Sequence, residues 1–312
     1  MWVPSKSNPL AKYAISLLLA VIIKPDRIKT REQVLTVRSR LDKIGRAIPL
    51  SKGIKRTQFK VDHIACEWLT PPNPSPGVLL YIHGGGYNIG STDSHRSLVA
   101  WLAKKMNRTA LMFNYRKAPE HPYPAPQEDA MAIYQWVLAQ GFDPKGIVVA
   151  GDSAGGGLTL ELLKQIRNTG LPQPAAACCL SPWADQALTG PSMNTNHSKD
   201  LVLSRNLLSL YSTFHFDNNP EAHNICSPLF DDFTSLPPTL IQVGSNEVLL
   251  DDSIRVAKKM AADGVSVDLE IWEDMQHVWH YSGHILKDGK LAINRICDFF
   301  NQHLSQHQNE AL

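Results

Sequence analysis

The sequence predicts an α/β fold with a mostly parallel central sheet and helices on both faces, and three observations carry that expectation. From about residue 57 onward, short apolar runs alternate with segments of helical periodicity. A glycine-flanked serine, Gly151-Asp152-Ser153-Ala154-Gly155, stands between one such run and a helix-compatible segment. A second glycine run, His83-Gly84-Gly85-Gly86, directly follows an earlier apolar run.

The run 77–82 is short and continuously apolar, as a strand covered on both faces requires. A helix follows from Ser94 through Lys105, with Leu98, Trp101, Leu102 and Met106 on one face. Residues 109–115 form the next strand. Pro126 then opens a helix through Ala139 in which Ala130, Ile133, Tyr134 and Val137 recur at helical spacing. The strand 146–150 leads into the serine turn, and the helix after it begins near Gly157. Residues 174–180 and 239–243 are further strands, and a helix from Asp252 to Ala262 stops at Gly264. Residues 265–272 alternate as a last strand, and a terminal helix spans Lys290 to His303.

Two stretches break this rhythm: about 1–55, and about 185–227, where polar turns surround the helical patch 207–211. Both read as insertions covering one end of the sheet. The 312 residues otherwise read as a single domain, 1–312, with a sizeable core, since 43% are hydrophobic and 19% charged.

A formal net charge of +2 and no basic block argue against nucleic acid as a partner. The five cysteines (Cys66, Cys178, Cys179, Cys226 and Cys297) match no metal spacing and fit free thiols in a reducing cytoplasm. No His-Glu-x-x-His motif occurs, so neither a metal nor a cofactor is expected. The apolar stretch Tyr13 to Ile23 loosely imitates a signal peptide but has no small-x-small cleavage site after it. It is also well short of the roughly 20 residues that a helix needs to span a bilayer. Packing on the protein's own surface is the favoured reading, with a signal or membrane-surface anchor the minor one.

A serine hydroxyl is a poor nucleophile near neutral pH. It needs a general base, a group to orient that base, and donors for the oxyanion. In a strand–turn–helix arrangement the order along the chain should be serine, acid, histidine, the last two in loops after late strands. His277, in the loop after the final strand, is the favoured base, and His280 is the competitor. Glu247, directly after strand 239–243, is preferred as the acid over Asp251; Asp251 and Asp252 read as first-turn carboxylates of the next helix. The backbone N–H of Ala154 and donors from the 83–86 loop supply the oxyanion hole. A phosphate-cradling role for that loop fails, because G-x-x-x-x-G-K-[ST] is absent and no helix opens there. Asp152 reads as a turn residue held by local hydrogen bonds.

The chain at this point resembles the hormone-sensitive-lipase-like branch of the α/β-hydrolases. The motifs are His83-Gly84-Gly85-Gly86 and Gly151-Asp152-Ser153-Ala154-Gly155-Gly156, with Tyr115 to Ala125, Asp129, Ser181-Pro182-Trp183, Ser227 to Phe230, Gly244 to Asp251 and His277-Val278-Trp279. The resemblance covers nearly everything from about residue 60 onward. It implies an α/β-hydrolase fold, Ser153 as nucleophile, His277 as base, and Gly84, Gly85 and Ala154 as oxyanion donors. Glu247 stands where the family usually has aspartate. The resemblance also implies a mostly helical, mobile cap built from the N-terminus and the 185–227 insertion, and a structural role for Arg116 and Glu120.

The function expected is hydrolysis of short- to medium-chain acyl esters, a small-molecule substrate. An amidase or deacetylase with the same machinery, a membrane-surface lipase, and a non-catalytic receptor on the same scaffold are the alternatives; the presence of His277 counts against the last. A homodimer is a further expectation.

Overall fold

The computed structural model describes residues 1–14, 17, 28–217, 219 and 227–309, excepting the side chains of 305–309. The expectations for Tyr13–Ile23 and for 185–227 therefore lie partly outside the described residues, as does Cys226.

The strands are β1 (Trp2–Val3), β2 (Lys55–Val61), β3 (Ile64–Thr70), β4 (Ser75–Ile82), β5 (Arg108–Asn114), β6 (Ile147–Asp152), β7 (Ala176–Leu180), β8 (Thr239–Gly244) and β9 (Val267–Trp272). They form one sheet in the order β1-β9-β8-β7-β6-β4-β5-β3-β2. All pairings are parallel except β2 with β3 and β3 with β5. The helices are α1 (Arg31–Ala47), α2 (Thr92–Met106), α3 (Ala125–Ala139), α4 (Ala154–Asn168), the single turn α5 (Ser192–Thr195), α6 (Arg205–His215), α7 (Leu250–Ala262) and α8 (Lys287–Asn309).

Alternation along the buried strands builds the two halves of the core. Val78, Leu80 and Ile82 of β4 pack with Ile133 and Val137 of α3 and Leu158 and Leu162 of α4. Their neighbours Leu79 and Tyr81 point to the other face, with Leu98 and Leu102 of α2 and Ile293, Ile296 and Phe300 of α8. In β7, Ala177 and Cys179 face α4 and α7, whereas Cys178 and Leu180 face α8. The fold class expected from the sequence is the one found, and each predicted strand and helix lies within a few residues of its expected place.

Three strands were not anticipated. Strand β2 reads Lys-Arg-Thr-Gln-Phe-Lys-Val and is mostly exposed at the sheet edge, so it has no apolar run to announce it. Its hairpin partner β3 lies between β5 and β2 and pairs with both. Strand β1 is two residues long, and its place beside β9 comes from the rest of the sheet.

Candidate active site

Strands β4, β6, β7, β8 and β9 are sheet neighbours and run in the same direction, so the loops leaving their carboxyl ends converge. Residues 83–86 follow β4, Ser153 follows β6, Ser181 follows β7, Glu247 follows β8 and His277 follows β9.

Ser153 alone separates β6 from α4, and it sits at φ 55° and ψ −123°. So sharp a reversal crowds the backbones around it. A Cβ on Gly155 would stand 2.2 Å from the Ile82 carbonyl oxygen, and one on Gly151 would stand 2.3 Å from that of Gly155. The strain is held by neighbours: the Ser153 N–H donates to the Leu180 carbonyl at 2.8 Å, and the Ser153 carbonyl accepts from Trp183 N–H at 2.9 Å. No side chain caps α4, which leaves its positive end and its first N–H groups directed at the site.

His277 Nδ1 meets Glu247 Oε2 at 2.8 Å. Glu247 is fully buried, and its other oxygen accepts from Gly244 N–H at 2.6 Å and from Ser181 Oγ at 2.7 Å. The carboxylate is therefore fixed at both oxygens while it orients the ring. Burial works against the imidazolium, but the Glu247 hydrogen bond and the charges of Glu247, Asp200 and Asp152 outweigh it. The His277 pKa stands above the ordinary histidine value.

The competitors lie elsewhere. His280 Nε2 bonds Gln242 Oε1 at 2.8 Å, and burial drives its pKa down to about 3, so this ring is a neutral anchor. Asp251 Oδ2 accepts from Ser192 N–H at 2.6 Å. Asp252 Oδ2 accepts from the N–H groups of Ala184 and Asp185 at 3.0 and 2.9 Å. Both are first-turn residues of α7, as expected, but they bind amides of the insertion after β7 rather than those of their own helix.

The amides of the glycine loop differ in what they meet. The Gly84 N–H donates to Asp152 Oδ1 at 3.1 Å and faces His95 Nε2 at 3.2 Å, so it is already engaged by the protein. Among the described residues the N–H groups of Gly85, Gly86 and Ala154 have no protein acceptor. Asp152 also accepts from Tyr81 Oη at 2.8 Å and lies 3.3 Å from His95 Nε2. Its hydrogen bonds thus reach far along the chain, where local ones were expected. Burial disfavours its charge, yet His95, the Tyr81 hydroxyl and His277 hold its pKa below the usual carboxylate value. His83 donates from Nδ1 to the Gly84 carbonyl at 2.8 Å and stacks on Tyr115; burial and then Lys117 keep it neutral.

Both irregular stretches lean on these loops. Arg38 of α1 donates to the Asn88 carbonyl at 2.9 Å and pairs with Glu120, and Arg116 pairs with Glu128 and Asp129, which gives this charged segment a structural role. The Tyr211 ring of α6 occupies the space that a Gly86 Cβ would need. Asn196 Nδ2 donates to the carbonyls of Ser245 and Glu247 at 3.0 and 2.8 Å. Asp200, its pKa pushed up to about 6 by burial, accepts from Val248 N–H at 2.9 Å. Gln276 bonds Leu201 N–H and the Lys199 carbonyl at 2.9 and 2.8 Å.

Sequence reasoning assigned no role to Ser181, Asp200, His95 or Tyr81. The Ser181-Pro182 step directly after a strand was a usable signal. His95 and Tyr81 sit inside a helix and a strand, where nothing in the pattern separates them from core residues. Among the described residues, no group of three or more His, Cys, Asp or Glu could hold a metal ion, and no helix is long and apolar enough to cross a membrane.

Comparison with known proteins shows the same architecture. A family model described as alpha/beta hydrolase fold matches residues 79–281. An acetyl-hydrolase from Streptomyces hygroscopicus is 41% identical over 233 residues, covering 75% of this chain and 78% of that protein. An esterase from Acinetobacter venetianus is 32% identical over 285 residues, covering 91% and 93%. The crystal structure of an esterase from the bacterial hormone-sensitive lipase family superposes with a TM-score of 0.87 at 38% identity, covering 94% and 98%.

The paired His277 ring should titrate above the ordinary histidine value of 6.5. Glu247→Gln removes the anion and leaves burial, so the same ring should then titrate below its value in the parent protein. Proton NMR of the imidazole across a pH series reads both; a pKa that the substitution does not lower contradicts the pairing.

Proposed function

The chain belongs to the α/β-hydrolase fold family and is a hydrolase of the esterase type, and on that premise we propose that Ser153, His277 and Glu247 cleave carboxylic esters of short to medium acyl chains. The observation that carries the reading is the buried Glu247–His277 contact, beside a serine elbow whose helix opens uncapped.

In this reading, Ser153 Oγ attacks the ester carbonyl carbon as its proton passes to His277 Nε2. The carbonyl electron pair moves to oxygen, and the oxyanion accepts from the N–H groups of Gly85, Gly86 and Ala154. Glu247 accepts from Nδ1–H and balances the imidazolium. Collapse of the intermediate breaks the carbon–oxygen bond, and the departing alkoxide takes the proton from Nε2. Water then attacks the acyl-enzyme with the same histidine as base and releases Ser153. No cofactor enters the scheme. Placing Gly86 in the donor set replaces the Gly84 of the sequence-based expectation, because the Gly84 amide is held by Asp152. The short-chain preference is supported by the tight cover: Ser153 is only 6% exposed, and Tyr211 packs on the glycine loop. A cytoplasmic setting is supported by Cys66, Cys178, Cys179 and Cys297, all free and buried.

Ser153→Ala should abolish turnover of an aryl ester without loss of fold, and the parent enzyme should be fastest on acyl groups from acetyl to octanoyl; a maximum at dodecanoyl or longer rejects the acyl-length reading. Glu247→Ala should cost about a thousandfold or more in kcat, whereas Asp251→Ala should leave kcat near the parent value. The reverse pattern would make Asp251 the acid. Asp152→Leu releases the Gly84 amide and so disorders the donors beside it. The expected result is a fall in kcat approaching that for losing one donor outright, about a hundred- to a thousandfold, with KM little changed. A change confined to KM would show that Asp152 does not hold the oxyanion loop.

A further inference from the structure

Residues 9–14 are helical, and this short element is inverted relative to an ordinary surface helix. Its lysine is turned inward: Lys12 is 8% exposed, and its ammonium meets Asp274 Oδ2 at 3.0 Å and Ser5 Oγ at 2.9 Å. Its apolar residues are turned outward. Leu10 and Tyr13 stand one turn apart and are 80% and 58% exposed, and Leu17, four residues further along the chain, is 41% exposed. A single exposed leucine is unremarkable, whereas three exposed large apolar side chains within eight residues call for a partner.

Charge identifies that partner. Residues 1–60 hold fourteen lysines and arginines against three acidic residues, a balance of +11 in a chain whose total is +2; the remainder therefore carries −9. Lys6, Lys29, Arg31, Arg40 and Lys43 are exposed. The cationic and apolar features share one end of the molecule. Lys12 binds the loop after β9, and Arg38 of α1 binds the loop after β4, so both elements overlie the carboxyl ends of the sheet.

We propose that this end of the protein docks on an anionic lipid surface, with Leu10, Tyr13 and Leu17 entering the interface and the basic side chains of α1 meeting the headgroups. Because Asp274 lies three residues before His277, docking would bring the candidate site to the surface and favour amphiphilic esters held there. That substrate consequence rests on the esterase reading; the docking does not.

The test is co-sedimentation of the full chain with phosphatidylcholine vesicles made with and without phosphatidylglycerol, with hydrolysis of a water-soluble ester as the control for folding. The parent protein should bind the anionic vesicles more tightly, and added salt should weaken that binding. Replacing Leu10, Tyr13 and Leu17 together by serine should lower vesicle affinity at least tenfold while leaving soluble-ester turnover unchanged. Arg40→Gln with Lys43→Gln should weaken binding to anionic vesicles by about 25-fold, about fivefold for each charge, and affect neutral vesicles little. Equal binding to both vesicle types, or vesicle binding that the triple serine variant retains, overturns the proposal. So does a triple variant that only converts an oligomer to a monomer, since these side chains would then form a contact between copies. Binding is read without hydrolysis, so failure of the docking is distinguishable from failure of the esterase reading.

Discussion

The carboxylate of Asp152 is the constraint on which the geometry of the site depends. It belongs to the residue immediately before Ser153, yet it holds the amide of Gly84 in a loop that leaves a different strand. Tyr81 and His95 secure it from below, so the glycine loop and the serine turn share one rigid support. Hydrogen-bond donors stabilise a developing oxyanion only when they are already aimed at it. Here the Gly84 amide is held by Asp152, and the strained backbone of Ser153 is tolerated because its neighbours hold both of its peptide groups.

The site thus contains two buried carboxylates with separate tasks. Asp152 fastens the glycine loop, while Glu247 fastens the His277 ring and itself depends on Ser181 and Gly244. Between them run strands β6, β7 and β8, whose register fixes the spacing of the two assemblies to the accuracy of a sheet. The insertion after β7 adds a second grip. Through Asn196, Asp200 and the Gln276 contacts it touches the loops carrying both Glu247 and His277. The described part of the insertion is consequently a brace for both of those loops.

How much of this was legible in the sequence follows from what each feature depends on. The strand–turn–helix around Ser153 and the run 83–86 were readable because local backbone sterics demand small residues there. Glu247 and His277 were readable from their positions after late strands, and the structure brings those two together. The fate of the Gly84 amide was not readable. Which N–H of a glycine run points outward depends on a carboxylate nearly seventy positions away and on a histidine buried in α2. Strands β1 and β2 escaped for a related reason: one is too short for periodicity, and the other is an exposed edge whose residues obey solvent rather than core.

Those two edge strands guard the sheet in different ways. A row of unpaired peptide groups at a sheet edge is a template for another chain. On one side, Trp2 and Val3 pair with Ile271 and Trp272 and occupy that template from within the molecule. On the other, Lys55 and Lys60 of β2 place positive charge along what is, among the described residues, the sheet's outer edge. Edge-to-edge growth must therefore overcome cationic repulsion at β2 or peel away a two-residue plug at β9. The plug is the weaker guard, and it lies against the strand whose next loop carries His277. Loss of that plug would couple self-association to disturbance of the loop that holds His277.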